Sequence, residues 1–91
     1  MNGFEWDENK NNKNIQKHFI DFADAILIFS DPDRIFYEVE KNNEKRIILV
    51  GNVNDVVIAV VYTIRNKRYR IISARRSRKN EKKEYENNKY E

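Results

Sequence analysis

The stretch RIILVGNVNDVVIAVVYTIRNKRYRIISA, Arg46 to Ala74, decides the fold. It holds three runs rich in β-branched and aromatic residues: Arg46 to Val50, Val56 to Ile64 and Arg68 to Ala74. Such residues suit a pleated, half-buried surface. Asn54-Asp55 and Asn66-Lys67 separate the runs. Asn and Asp favour tight turns, so the runs are expected to pair antiparallel through short hairpins. Val56 to Val61 is apolar without alternation, as a central strand covered on both faces requires. Ile35 to Val39 is expected to add a further strand, giving a sheet of about four.

Towards the N-terminus the pattern turns helical. After a short extended piece around Phe4 to Trp6, Asp7 is placed to cap a polar helix reaching His18, with Glu8 in its first turn. That helix is rich in Asn, a poor helix former, and its apolar content beyond Ile15 is low. It must therefore be held by a surface it lies on. Asp21 reads as a second cap, followed by Phe22, Ala25, Ile26 and Phe29 at helical spacing. Ser30-Asp31-Pro32-Asp33 ends this helix, because the residue before proline is pushed out of the α region. At the other end, Ser77 is a candidate cap for a charged third helix whose last residues, Asn87 to Glu91, are expected to fray. Phe4 and Trp6 are expected in the core. The fold class is α+β, with two N-terminal helices, a mainly antiparallel sheet and one C-terminal helix.

The chain has 91 residues, expected to form a single domain spanning 1–91. Its 36% charged residues exceed the typical quarter and imply a heavily ionised surface around a compact core. There is no cysteine, which removes disulfides, thiolate metal sites and thiol nucleophiles from consideration. The longest apolar run, Val56 to Tyr62, is too short to cross a bilayer, and the N-terminus lacks the basic and apolar regions of a signal peptide. A cytoplasmic location without membrane contact is expected. The net charge of +3 conceals an asymmetry: residues 65–91 carry eleven Lys or Arg against four Glu, whereas residues 1–64 carry a charge of −4. A basic C-terminal third suits a polyanion, since lysine and arginine displace the counterions of phosphates.

Five blocks then follow one another in a recognisable order. They are FEWDENK at Phe4 to Lys10, Lys17-His18, FADA with FSDP between Phe22 and Pro32, EKRIILVG at Glu44 to Gly51, and RIISARRSRKNEKKEYE at Arg70 to Glu86. Together they resemble the BrnT family over nearly the whole chain. The resemblance implies a RelE-like ribonuclease fold and an endoribonuclease toxin of a type II toxin–antitoxin system, which inhibits translation by cutting RNA. It further implies a BrnA-like antitoxin with a ribbon-helix-helix DNA-binding domain, and operator DNA bound only through the toxin–antitoxin complex. The chain departs from the family's usual Lys-His-Gly in having Phe19 after His18. Phenylalanine tolerates positive φ poorly, so the turn there is expected to be built differently.

The residues can be weighed for this chemistry directly. RNA cleavage by transesterification needs a base for the ribose 2′-OH, positive charge at the phosphorane and an acid for the leaving oxygen. One histidine excludes a two-histidine scheme, and no HExxH motif or paired acidic ligands are present, so no metal and no other cofactor is expected. Arginine, a planar fork that stays charged, suits the phosphate. Arg70, Arg75 and Arg76 are the leading candidates, Arg70 within the last strand and the other two beyond its end. Alternation sets Arg68, Arg70 and Ile72 against Tyr69, Ile71 and Ser73, and the set with Arg70 is expected to face the groove. Arg46 can join that face or simply pair with Glu44. His18 is the chain's one histidine, a residue type suited to general acid–base work, but it also sits where a helix end favours a cation. Arg68, Lys79, Lys82, Lys83 and Tyr85 are candidates for RNA contact, although a tyrosine at Tyr85 more often anchors a helix to a sheet. The alternative from another class is a non-catalytic nucleic-acid-binding or regulatory module that keeps the same fold.

Overall fold

A computed structural model describes residues 3–90. Strand β1 (Phe4–Glu5) leads into helix α1 (Glu8–His18), a short helix α2 (Phe22–Ala25) and a 3-10 segment (Ile26–Ser30). Four long strands follow, β2 (Ile35–Lys41), β3 (Glu44–Val53), β4 (Val56–Arg65) and β5 (Arg68–Arg76), and helix α3 (Lys79–Lys89) closes the chain. The sheet order is β1-β5-β4-β3-β2, so β4 is central, as its unbroken apolar run requires.

The expected antiparallel strands are present, joined by three two-residue turns in which Asn42-Asn43, Asn54-Asp55 and Asn66-Lys67 all take positive φ. The sheet has five strands rather than about four. The short N-terminal piece is the fifth, pairing parallel to β5 with Phe4 beside Tyr69 and Glu5 beside Arg70. The second expected helix is divided: only its first turn is α-helical, and Ile26–Ser30 tightens to 3-10. The third helix starts one residue later than Ser77 would set it, with Arg78 as its N-cap. Asn87 to Lys89 remain helical where fraying was expected, and Glu91 lies outside the described residues.

Each face of the sheet carries its own core. On one, Phe22, Ala25 and Ile28 pack on Leu49, Ile58, Val60, Tyr62, Ile71 and Ala74, with Phe4 and Trp6 partly buried at the margin. Gly51 permits this close packing, because a Cβ there would lie 2.9 Å from the Ile28 Cβ. Helix α1 is held by its asparagines: Asn14 exchanges hydrogen bonds with both backbone groups of Ala74 on β5, and Asn11 accepts from the Phe22 N–H. Poor helix formers thus serve as the clamps that the polar helix needs.

On the opposite face, Tyr85 of α3 fills a smaller cluster with Val50 and Ala59. The Tyr85 hydroxyl donates to Asp31 at 2.7 Å, tying α3 to the loop before β2. Burial and the Asp31 carboxylate both push the Tyr85 phenol up. Burial raises Asp31 too, but the Asn52 backbone N–H, Tyr85, the Asp33 N–H and Lys89 outweigh it and hold the carboxyl below its ordinary value. Helix α3 packs on β2 and β3 of this face, and beyond Ala59 and Arg75 the β4–β5 half keeps Val61, Arg70 and Ser73 partly exposed and Arg65 and Arg68 exposed.

Candidate active site

The open half of the α3 face is built by strand alternation. Arg46 and Glu44 project from β3, Thr63 and Arg65 from β4, Arg68 and Arg70 from β5, and Glu5 from β1. Pairing places Thr63 opposite Arg70 and Arg65 opposite Arg68, and the β3–β4 register carries Arg46 to Thr63. Arg46 and Arg70 therefore flank Thr63 from strands about 10 Å apart, two interstrand spacings. Thr63 is buried and donates its hydroxyl to the Lys45 carbonyl at 2.8 Å, which fixes the floor between the two guanidiniums.

A bulge in β5 decides which arginines share this face. Val61 pairs with Ser73 but Tyr62 with Ile71, so Ile72 is an extra residue. Before it, Arg68 and Arg70 share the α3 face, opposite the side to which Ile71 turns. After it the phase reverses: Ser73 and Arg75 join Arg70, whereas Ala74 and Arg76 turn to the α1 face. Strand β5 also runs on through Arg76 instead of ending at Ala74. Arg75 and Arg76, expected to converge beyond the strand end, instead leave the sheet in opposite directions.

Carboxylates hold the guanidiniums in place. Glu44 accepts from Arg65 at 2.9 and 3.2 Å and from Arg46 at 3.4 Å. Those hydrogen bonds, led by Arg65, hold its carboxyl below the ordinary range. Glu5 accepts from Arg70 at 3.2 Å, and its other oxygen lies 3.8 Å from Arg68. Each carboxylate is shared by two arginines, so the open face keeps an excess of positive charge. Arg70 and Arg46 retain 28% and 23% side-chain exposure, enough for a ligand oxygen to reach them. Arg75 is more deeply placed. It forms a two-pronged pair with Glu81 at 2.8 and 3.0 Å, and Glu81 is only 4% exposed.

A family model described as the ribonuclease toxin, BrnT, of type II toxin–antitoxin systems matches residues 6–81. The chain belongs to the BrnT family. No curated protein gives a significant match. Membership in BrnT brings a ribonuclease toxin activity at the level of the family, with RNA as substrate and an antitoxin as partner. The matched span takes in α1, the whole of β2 to β5 and the first turn of α3. Among the described residues no helix is long and apolar enough to cross a membrane.

The histidine and the arginines singled out by sequence divide between two places on this BrnT fold. Arg46, Arg68, Arg70 and Arg75 share the α3 face. His18 and Arg76 lie together on the α1 side, lining a pocket of about 210 Å³ with Asp21, Asp24 and Phe19. Phe19 does adopt the left-handed backbone, with φ 60°, so the turn after α1 keeps the geometry a glycine would give. Its ring is 87% exposed, and the steric cost of that φ is met without any packing gain. Lys79, Lys82 and Lys83 are exposed on α3, whereas the Tyr85 ring is packed into the core beneath that helix. Glu5, Arg65 and Glu81 were not singled out. Alternation on β4 was enough to find Arg65, but nothing local in the sequence marks β1 as the neighbour of β5.

Proposed function

We propose that this chain is a metal-independent endoribonuclease toxin whose scissile phosphate sits over Thr63, gripped by Arg46 and Arg70. The observation that carries this reading is the gathering of Arg46, Arg65, Arg68 and Arg70 on one open sheet face, with two carboxylates among them. Guanidiniums placed on either side of a phosphodiester supply the charge that the phosphorane develops. Lys79, Lys82 and Lys83, exposed on α3, add non-specific attraction for the RNA backbone. Arg75 supports the site by holding α3 in place. His18 and Arg76 form a separate cluster, outside the cleavage groove.

In the cell, RNA cleavage by this toxin inhibits translation, and a BrnA-like antitoxin neutralises it. That antitoxin carries the ribbon-helix-helix domain through which the complex reaches operator DNA. A second reading, a binding module without catalysis, draws on the pairing of the groove arginines with Glu5 and Glu44, which leaves each guanidinium partly satisfied. Purified protein incubated with RNA in EDTA separates the two. The expected result is cleavage leaving a 2′,3′-cyclic phosphate and a 5′-hydroxyl, undiminished by the chelator. RNA bound but uncut under all conditions favours the module, and cleavage that requires added Mg²⁺ overturns the metal-independent mechanism.

A further inference from the structure

We propose that Glu5 is the general base of the groove, the group that removes the proton from the ribose 2′-OH. The inference rests on the ribonuclease reading above and assigns a residue within it. Two carboxylates border the arginines, and their hydrogen bonding differs. Glu44 uses both oxygens, one on Arg46 and one on Arg65. Glu5 uses Oε2 on Arg70, while its Oε1 makes no hydrogen bond among the described residues and lies 3.8 Å from Arg68. An oxygen with an uncommitted lone pair, beside the arginine that holds the phosphate, is placed to accept a proton from a neighbouring hydroxyl. The position is fixed by backbone pairing: Glu5 sits beside Arg70 in the parallel β1–β5 ladder. Its side chain is about a quarter exposed, so RNA can reach it.

The step balances. The 2′-oxygen attacks the adjacent phosphorus as its proton passes to the Glu5 carboxylate. The bond from phosphorus to the 5′-oxygen breaks, leaving a 2′,3′-cyclic phosphate. The departing 5′-oxygen takes a proton from solvent water, and the proton on Glu5 returns to the hydroxide that results. Arg70 bonds both partners, the phosphate and the base, and so sets the distance between them. The charged groups facing the Glu5 carboxyl are Arg68 and Arg70, both from β5, the one strand with which β1 pairs.

The test is single-turnover cleavage of a short RNA by the full-length wild type, Glu5→Gln and Glu5→Asp across a pH series, with melting temperatures measured alongside. Glu5→Gln keeps the hydrogen-bond acceptor to Arg70 but cannot take the proton. Its rate is expected to fall about 100-fold or more, with RNA affinity held and the acid limb of the pH profile lost. Glu5→Asp is expected to recover part of the rate together with that limb. A folded Glu5→Gln that cleaves within about threefold of wild type on an unchanged pH profile overturns the assignment. Equal loss in both variants with weakened RNA binding also overturns it, since that marks Glu5 as a positioning residue for Arg70. If the wild type itself does not cleave, the ribonuclease reading falls first and the assignment with it.

Discussion

Arg70→Ala is expected to lower RNA cleavage about 10²- to 10³-fold while leaving a folded protein, the loss typical when one oriented donor to the transition state is removed. Arg70 stands opposite Thr63, across the floor from Arg46, and it is the guanidinium bonded to Glu5. It is partly exposed, and its removal leaves Glu5 within reach of both solvent and Arg68. The structural cost is therefore that of a partly exposed ion pair, about 1 kcal/mol. Arg70→Lys keeps the charge but not the planar fork, so it is expected to recover only part of the rate. Cleavage assays beside circular dichroism check both points. Full activity from a folded Arg46→Ala/Arg70→Ala double variant would remove the groove from the account.

The second large effect concerns stability. Arg75→Ala is expected to cost about 3 kcal/mol, near the lower end for breaking a buried pair because Arg75 retains some exposure. Glu81, 4% exposed, would be left with only Arg78 to compensate its charge, through the backbone N–H from which it accepts at 2.7 Å and the nearby guanidinium. In a domain of this size that corresponds to a fall of roughly 10–25 °C in melting temperature. Replacing both partners with apolar residues of similar volume is expected to restore most of the loss. Loss of toxicity in Arg75→Ala would then report unfolding before it reported chemistry.

The pair also sets a pH dependence. Hydrogen bonds from Arg75 hold the Glu81 carboxyl below its ordinary value of 4.5 despite the opposing effect of burial. A depressed folded pKa stabilises the fold above the unfolded value, so this contribution is complete above about pH 4.5 and fades as pH falls below it. Melting measured down this range should flatten in Glu81→Gln relative to wild type. A wild-type melting temperature constant through the acid range, or Arg75→Ala melting within a few degrees of wild type at neutral pH, contradicts the assigned role.

Much of this architecture was legible because the signals were local. Asn54-Asp55 and Asn66-Lys67 announced hairpins, the capping aspartates Asp7 and Asp21 placed two helix starts, and the unbroken run in β4 marked the central strand. The two-residue strand Phe4–Glu5 was not legible as part of the sheet, since its partner lies some 65 residues away and parallel pairing leaves no turn to read. The site was half legible for a related reason. Alternation placed Arg68 and Arg70 on one face, but the bulge at Ile72 carries no glycine or other local mark, and it alone decides that Arg75 rather than Arg76 shares their face. His18 drew attention through its chemistry, and only the packing of α1 on β5 shows that it lies across the sheet from Arg70.

On the proposed reading RNA occupies the arginine face over Thr63 and not the pocket around His18. Amide chemical-shift mapping of isotopically labelled protein, titrated with an RNA whose 2′-hydroxyls are blocked by methylation, tests it without turnover. The largest shifts are expected at Arg46, Thr63, Arg70 and Ser73, with those of His18, Phe19 and Arg76 nearly unchanged. Shifts centred on His18 and Arg76, with Arg46 and Arg70 silent, would contradict it.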